Sequence, residues 1–135
     1  MRGYRTPSKR SPYYVDPPLY VHAIIWCKCY PIWKKELQTL SDSSKGIDYS
    51  KEKVQSNSDY DATAEIAMKR LELEHKINLL ETTARIVMPD APEYMIRGVT
   101  EDVTPEELIR AGMPYCKNLF YLRRQKLFYL LSKRI

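Results

Sequence analysis

The chain of 135 residues contains few of the residue types that build nucleotide loops and metal sites: four Gly, two His and three Cys. Neither glycine-rich phosphate-binding pattern, G-x-G-x-x-G or G-x-x-x-x-G-K-[ST], occurs in it. The hydrolase and metalloprotease motifs G-x-S-x-G and H-E-x-x-H are also absent. The longest apolar run, residues 19–26, is interrupted by His22 and is shorter than the ~20 residues of a membrane span. These absences predict a protein that is neither an enzyme nor a membrane protein, with no cofactor.

The cysteines predict a reducing compartment, because their number is odd and no secretory signal precedes them. Cys27 and Cys29, with His22 nearby, could be interpreted as a metal clip. Thiols two residues apart on a helix point to different faces, however, and zinc sites use two well-spaced ligand pairs. We therefore expect no metal, with one thiol buried as a small hydrophobe and the other half-exposed.

Helical patterns dominate the first two thirds of the chain. Pro17 and Pro18 favour a helix start, with Asp16 as a possible N-cap, and an apolar face continues over residues 18–41. Pro31 should kink or split that helix. A polar loop is predicted over residues 42–60 and a long helix over 61–88, which Asp61 could cap. The long helix carries apolar residues at heptad spacing, which predicts either packing within the chain or a homodimer through this helix: Leu73, Ile77, Leu80, Ala84 and Val87.

The last third carries specific helix signals. A short helix is predicted over residues 93–99, ending at Gly98. Thr104-Pro105-Glu106-Glu107 is a capping box that begins a helix over 105–111, and Gly112 is suited to end it. After a turn at Met113-Pro114, a helix is predicted over 116–133, which completes a helix-turn-helix pattern. The predicted fold is all-α, with a flexible basic arm over 1–16 that becomes ordered near Pro12-Tyr13-Tyr14, a helical hairpin body over 17–99 and a helix-turn-helix over 100–135.

Charge is distributed unevenly. Residues 1–10 carry four bases and no acid, and residues 117–135 carry six bases and no acid. Residues 59–108 carry twelve acids against five bases, a local net charge of −7. Basic ends on an acidic middle are typical of a protein that contacts a polyanion at its ends.

The last helix has two predicted faces. Its apolar face contains Cys116, Leu119, Phe120, Leu127, Leu130 and Leu131. The opposite face carries amides and cations, which can recognise adenine, guanine or phosphate. The candidate DNA-binding residues are Lys117, Asn118, Tyr121, Arg124, Gln125, Lys126, Lys133, Arg134 and, in the arm, Arg2, Arg5, Lys9 and Arg10. Of these, we expect Lys117, Asn118, Tyr121 and Arg124 to be exposed together. The predicted core includes Trp26, Trp33, Leu73, Ile77, Leu80, Phe120 and Leu127.

Four stretches carry a family resemblance. They are residues 12–26 (PYYVDPPLYVHAIIW), 47–56 (IDYSKEKVQS), 61–64 (DATA) and 112–132, which contains GMP, FY-x-RR and FYLLS. On these the chain resembles small phage and prophage proteins of Gram-positive bacteria, described as late-gene transcriptional regulators of the RinA or ArpU type or as sigma-factor-like proteins. The resemblance implies a C-terminal helix-turn-helix similar to region 4 of sigma factors, with Lys117, Asn118, Tyr121 and Arg124 facing DNA. The turn differs from that family, because Pro114-Tyr115-Cys116 replaces a segment richer in Gly and Ser.

The function expected from these patterns is transcription regulation in a phage or mobile element, in the cytoplasm of a bacterial host. The last helix would enter the major groove of double-stranded DNA, and the basic arm would contact phosphates or the minor groove. The acidic middle would face host RNA polymerase or a second protomer. The alternative is an adaptor or inhibitor that docks on a host nucleic-acid enzyme and places its basic end in an acidic or nucleic-acid-binding groove.

Overall fold

The computed structural model describes the backbone of residues 4–45 and 57–135 and the side chains of residues 4–40 and 63–135. The described residues form helices and no strand, which confirms the predicted all-α class. In chain order the helices are α1 (Pro17–Lys28), α2 (Tyr30–Lys45), α3 (Asn57–Val87), α4 (Pro92–Thr100), α5 (Pro105–Arg110) and α6 (Lys117–Ser132). No helix within the described ranges is both long enough and apolar enough to cross a membrane.

The predicted first helix is divided in two at Cys29, as expected from Pro31. Pro31 is the second residue of α2, where its missing N–H has no partner to lose. Asp16 precedes α1, but its side chain does not cap the helix. Pro17 and Pro18 occupy the first two helical positions and offer no N–H groups, which leaves the Leu19 amide as the one usual donor to such a cap. The Asp16 carboxylate accepts a hydrogen bond from Tyr14 Oη instead, at 3.2 Å.

The second and third helices are longer than predicted. α2 continues to Lys45 and α3 begins at Asn57, so both ends of the predicted 42–60 loop are helical. Residues 46–56, together with the side chain of Asp61 as a predicted cap, lie outside the described part of the chain. All five apolar residues of the heptad stripe in α3 are buried within the chain, which favours internal packing over self-association through that stripe.

The chain forms two compact units, which are described separately. The first contains Met1–Tyr30 and Leu79–Ile135, and the second contains Pro31–Asn78. This division differs from the predicted boundaries at residues 17 and 100. In the first unit α6 packs against α1, α4 and α5, and α1 also packs against α4. The start of the predicted hairpin body therefore belongs with the C-terminal helices.

The core of the first unit is built around α6. Phe128, Leu127 and Leu131 are fully buried, and the ring of Tyr20 in α1 meets Phe128 edge to face at 5.2 Å. Six of the seven predicted core residues are buried across the two units. The exception is Trp26, which is half-exposed. It lies beside the buried line of α1 that ends at Cys27, not on it.

Gly98 does not end α4, contrary to the prediction, because the helix continues to Thr100. Its role is in packing. A Cβ atom at this position would lie 2.7 Å from Cζ of Phe120 and 3.2 Å from Cδ1 of Leu108. The absence of a side chain lets α6 approach α4 closely at this point.

The second unit contains α2 after its first residue and the N-terminal two thirds of α3. Trp33 is buried there, with the Lys76 ammonium 5.4 Å from its ring centroid, a cation–π contact. An open groove of about 460 Å³ lies between the two helices, lined by Ile32, Lys35, Glu36, Thr39, Leu40 and Lys69.

Candidate nucleic-acid interface

The start of α6 is fixed by α5 and the segment that follows it. Thr104 Oγ1 accepts a hydrogen bond from the Glu107 amide at 3.3 Å, as the capping sequence predicts. Gly112 has a φ of 113°, which an L-residue rarely adopts. The amide of buried Met113 donates to the Leu108 carbonyl at 3.0 Å. Residues 112–115 therefore make a fixed turn between the C-cap Ala111 and the N-cap Cys116.

The outward face of α6 is rotated relative to the predicted one. Its buried positions are Phe120, Arg124, Leu127, Phe128 and Leu131. The opposite side runs along Asn118, Leu122, Gln125 and Tyr129, at spacings of four, three and four residues, and these are exposed or half-exposed. Leu122 is 49% exposed at the centre of this line. Cys116 is exposed, contrary to its placement on the predicted apolar face, because it precedes the helix as its N-cap.

Lys117 is exposed but is already paired. Its ammonium lies 2.8 Å from Oε1 of Glu106 in α5. The hydrogen bond with Glu106 raises the pKa of Lys117, and the same bond lowers the pKa of the Glu106 carboxyl. A phosphate at this end of α6 would compete with a carboxylate that is already present.

Arg124 is buried, so the prediction that it faces solvent is wrong. It is 9% exposed because it lies four residues after Phe120, on the inward side of α6. Its guanidinium carbon is 4.3 Å from the ring centroid of Tyr4 and 4.8 Å from that of Tyr121. Tyr121 is half-exposed, less than predicted, since one side of its ring is covered by this guanidinium. Arg124 thus joins the arm to α6 and does not present its charge to a ligand.

Tyr4 is the central residue of this junction. Its ring packs against Phe128 at 5.9 Å between centroids, and its hydroxyl donates to Oδ1 of Asp102 at 3.2 Å. Oδ2 of Asp102 accepts from Lys28 Nζ at 2.9 Å. Burial raises the pKa of Tyr4 to about 12, and the bond from Lys28 lowers the pKa of Asp102. A residue of the arm is therefore held by α1, by α6 and by the segment between α4 and α5.

Beyond Tyr4 the arm forms a hydrogen-bonded turn, residues 8–11, which we call the basic turn. The Ser11 amide donates to the Ser8 carbonyl at 2.9 Å, so Lys9 and Arg10 occupy the tip. Both side chains are exposed. Pro7 and Val15 are buried on either side of the turn and anchor it. The arm was predicted to be flexible, yet its described part contacts the helices at several points.

A second contact connects the arm to the C-terminal turns of α6. The rings of Tyr13 and Tyr129 are 5.9 Å apart between centroids. Tyr129 Oη also accepts a hydrogen bond from Lys133 Nζ at 2.6 Å. The arm and α6, which are more than 100 residues apart in sequence, therefore meet at Tyr129 as well as at Tyr4.

The other candidate residues fall into three groups. Arg5, Lys133 and Arg134 are exposed, Gln125 and Lys126 are half-exposed, and Arg2 lies outside the described residues. The sequence patterns predicted order near Tyr13, but not that Tyr4 attaches the arm to the helices. A signal was present, because aromatic residues interrupt an otherwise polar, basic segment. Leu122 was not predicted to be exposed either, because hydrophobicity alone assigns it to the interior.

The described residues contain no group of three or more His, Cys, Asp or Glu side chains placed to hold a metal ion. Cys27 is fully buried and Cys29 half-buried, as predicted for a small hydrophobe beside a half-exposed neighbour. Burial raises the pKa of the Cys27 thiol.

No family model matches this chain, and the comparisons with curated proteins and with solved structures also return no match. The resemblance to phage late-gene regulators stays a prediction from the sequence.

Proposed function

We propose that this protein is a DNA-binding transcriptional regulator of a phage or mobile element, in which α5, the turn and α6 act as a helix-turn-helix. The observation that carries this proposal is the attachment of the basic arm to α6, an acid-free basic helix that follows a capped helix and a fixed four-residue turn. A helix-turn-helix places the N-terminal turns of its second helix at the base edges of the major groove.

The recognition surface in this proposal is the exposed line of α6, not the face predicted from sequence. Asn118 and Gln125 lie on it and can form paired hydrogen bonds with adenine. Leu122 lies between them and offers an apolar contact for a thymine methyl group. Lys117 and Tyr121 flank this line, whereas Arg124 has no part in base recognition.

The experiment is duplex binding measured for a set of sequences at several salt concentrations. The wild type should bind duplex DNA with an affinity that falls steeply as salt rises. Asn118→Ala should reduce discrimination at one base pair by ~1–3 kcal/mol while leaving non-specific binding unchanged. Lys69→Ala, an exposed lysine of the second unit, is the matched control and should behave as the wild type. No duplex binding at low salt would contradict the proposal.

A second candidate function is a protein-binding adaptor, which the outer surface of α1 favours. Leu19, Val21 and Ile25 are 39–49% exposed in this short helix. Val21 and Ile25 lie one turn apart on the same side of the helix, and contiguous exposed apolar surface is typical of protein contacts. An adaptor would show little affinity for duplex DNA, and Ile25→Asp would abolish its capture of a host protein. The salt titration therefore separates the two functions.

A further inference from the structure

The arm is attached to α6 through Tyr4 and Tyr13, and a helix-turn-helix does not need these contacts to place its second helix in the major groove. We infer that the arm and the C-terminal turns of α6 form one phosphate-binding surface for the backbone of duplex DNA, and that Tyr4 and Arg124 are positioning residues for it. This inference rests on the proposed function and adds a second, sequence-independent contact to it.

The charges are suited to this role. The described arm has no acid before Asp16, and residues 117–135 have none. Two exposed cations of the basic turn, Lys9 and Arg10, precede Tyr13 by four and three residues, and exposed Lys133 contacts the ring of Tyr129. Phosphate contacts need positive charge without base-specific geometry, which long, exposed lysine and arginine side chains provide.

The backbone of the arm is arranged to present these charges. The basic turn has a hydrogen bond across its base, and buried Pro7 and Val15 hold its two sides. Tyr4 secures the arm at one end through Arg124, Phe128 and Asp102, and Tyr13 secures it at the other through Tyr129. An arm already held in place loses less conformational entropy on binding than a free one.

Arg124 was predicted to face DNA, but the structure gives it a positioning role instead. A buried guanidinium that stacks on Tyr4 and Tyr121 cannot bind phosphate without leaving these rings. Arg124 should therefore affect DNA binding only by holding Tyr4 and the arm in place. If so, replacing Tyr4 with a smaller neutral residue should weaken the salt dependence of DNA affinity as much as removing the cations of the basic turn does. A direct phosphate contact by Arg124 would make no such prediction.

The experiment measures the affinity of the full chain for one duplex against salt concentration. The logarithm of the affinity falls linearly with the logarithm of the salt concentration, and each phosphate contact adds about 0.9 to the magnitude of this slope. Lys9→Ala with Arg10→Ala should lower the slope by about two units, so from 50 to 200 mM salt the wild type loses about tenfold more affinity than this variant. Tyr4→Ala removes no charge and should lower the slope by one to two units, about as much.

Three further variants make the test specific. Tyr4→Phe keeps the ring on Arg124 and loses only the hydrogen bond to Asp102, so it should retain the wild-type slope. Combining Tyr4→Ala with the double change in the basic turn should lower the slope no further than the double change alone. Tyr13→Ala tests the other anchor and replaces Tyr4→Ala if that variant does not fold.

The outcomes separate this inference from the proposed function. If the wild type binds DNA but neither anchor variant alters the slope, the arm is not positioned by these contacts and the inference is wrong, while the helix-turn-helix proposal stands. The same holds if losing Lys9 and Arg10 has no effect. If Lys133→Ala lowers thermal stability and leaves the slope unchanged, that lysine only complements the C-terminal end of the helix dipole and the composite surface is refuted. If the wild type does not bind duplex DNA, both proposals fail.

Discussion

Gly98→Ala should destabilise the protein, although alanine is the better helix former. An alanine in the interior of a helix is favoured over glycine by about 0.8–1.0 kcal/mol. The added methyl group would lie 2.7 Å from Cζ of Phe120, closer than nonbonded carbon atoms approach, and 3.2 Å from Leu108. Phe120 is 1% exposed and Leu108 is fully buried, so neither side chain has room to move aside.

The magnitude follows from these opposing effects. Overpacking a filled core costs about 1–3 kcal/mol, which exceeds the gain in helix propensity. We therefore expect a net loss of up to about 2 kcal/mol in the free energy of unfolding, measured by urea denaturation with an unchanged m-value. Ala67→Gly, at an exposed position of α3, is the control for propensity alone and should cost about 1 kcal/mol.

A double-mutant cycle tests the cause. Leucine at position 120 lacks the Cζ atom that approaches Gly98, so Phe120→Leu should remove most of the penalty of Gly98→Ala, leaving only the 3.2 Å contact with Leu108. In that background Gly98→Ala should be neutral or stabilising, with a coupling energy of about 1–3 kcal/mol, the size of the overpacking cost. If Gly98→Ala stabilises the otherwise unchanged protein by about 1 kcal/mol, the close approach of α6 to α4 is refuted.

Three other outcomes are expected. Thr104→Ala should cost about 1 kcal/mol of unfolding free energy, because it removes the acceptor for the Glu107 amide; Thr104→Ser should restore most of it, and equal stability of all three proteins would contradict the cap. Ile77→Ala should cost about 2–5 kcal/mol, since this side chain of the heptad stripe is buried, and a change near zero would place that face in solvent. Asp102 has a lowered pKa, so its contribution to stability is present above its ordinary value of 3.8 and is lost as pH falls through its lower folded value. Thermal melts across this acidic range should show a smaller loss for Asp102→Asn than for the wild type, and identical pH profiles would refute the contribution.

Local interactions made a large part of this structure predictable. The split at Pro31, the cap at Thr104 and the left-handed Gly112 each depend on a few consecutive residues, and the structure has all three. The burial of the α3 stripe follows from its spacing, because residues three and four apart lie on one side of a helix. Such features are determined by residues close together in the sequence, so they can be predicted without the tertiary structure.

The exact helix ends were less predictable. Polar residues around 42–45 and 57–60 were expected in a loop, but they continue α2 and α3. Gly98 was expected to end α4, since glycine is often found after a helix. A glycine can end a helix or allow another helix to pack closely, and the neighbouring side chain decides between the two. Here that neighbour is Phe120, 22 residues away in sequence.

The functional surface depended most on tertiary structure. Periodicity divides α6 into faces, but the side that turns inward is set by three packing partners, α1, α4 and α5. Their arrangement buries Arg124 and exposes Leu122, the reverse of what charge and hydrophobicity predict. The joining of the arm to α6 likewise rests on contacts of Tyr4 and Tyr13 with residues more than 110 positions away. The sequence alone determined that both ends of the chain are basic, whereas only long-range packing decided that they meet.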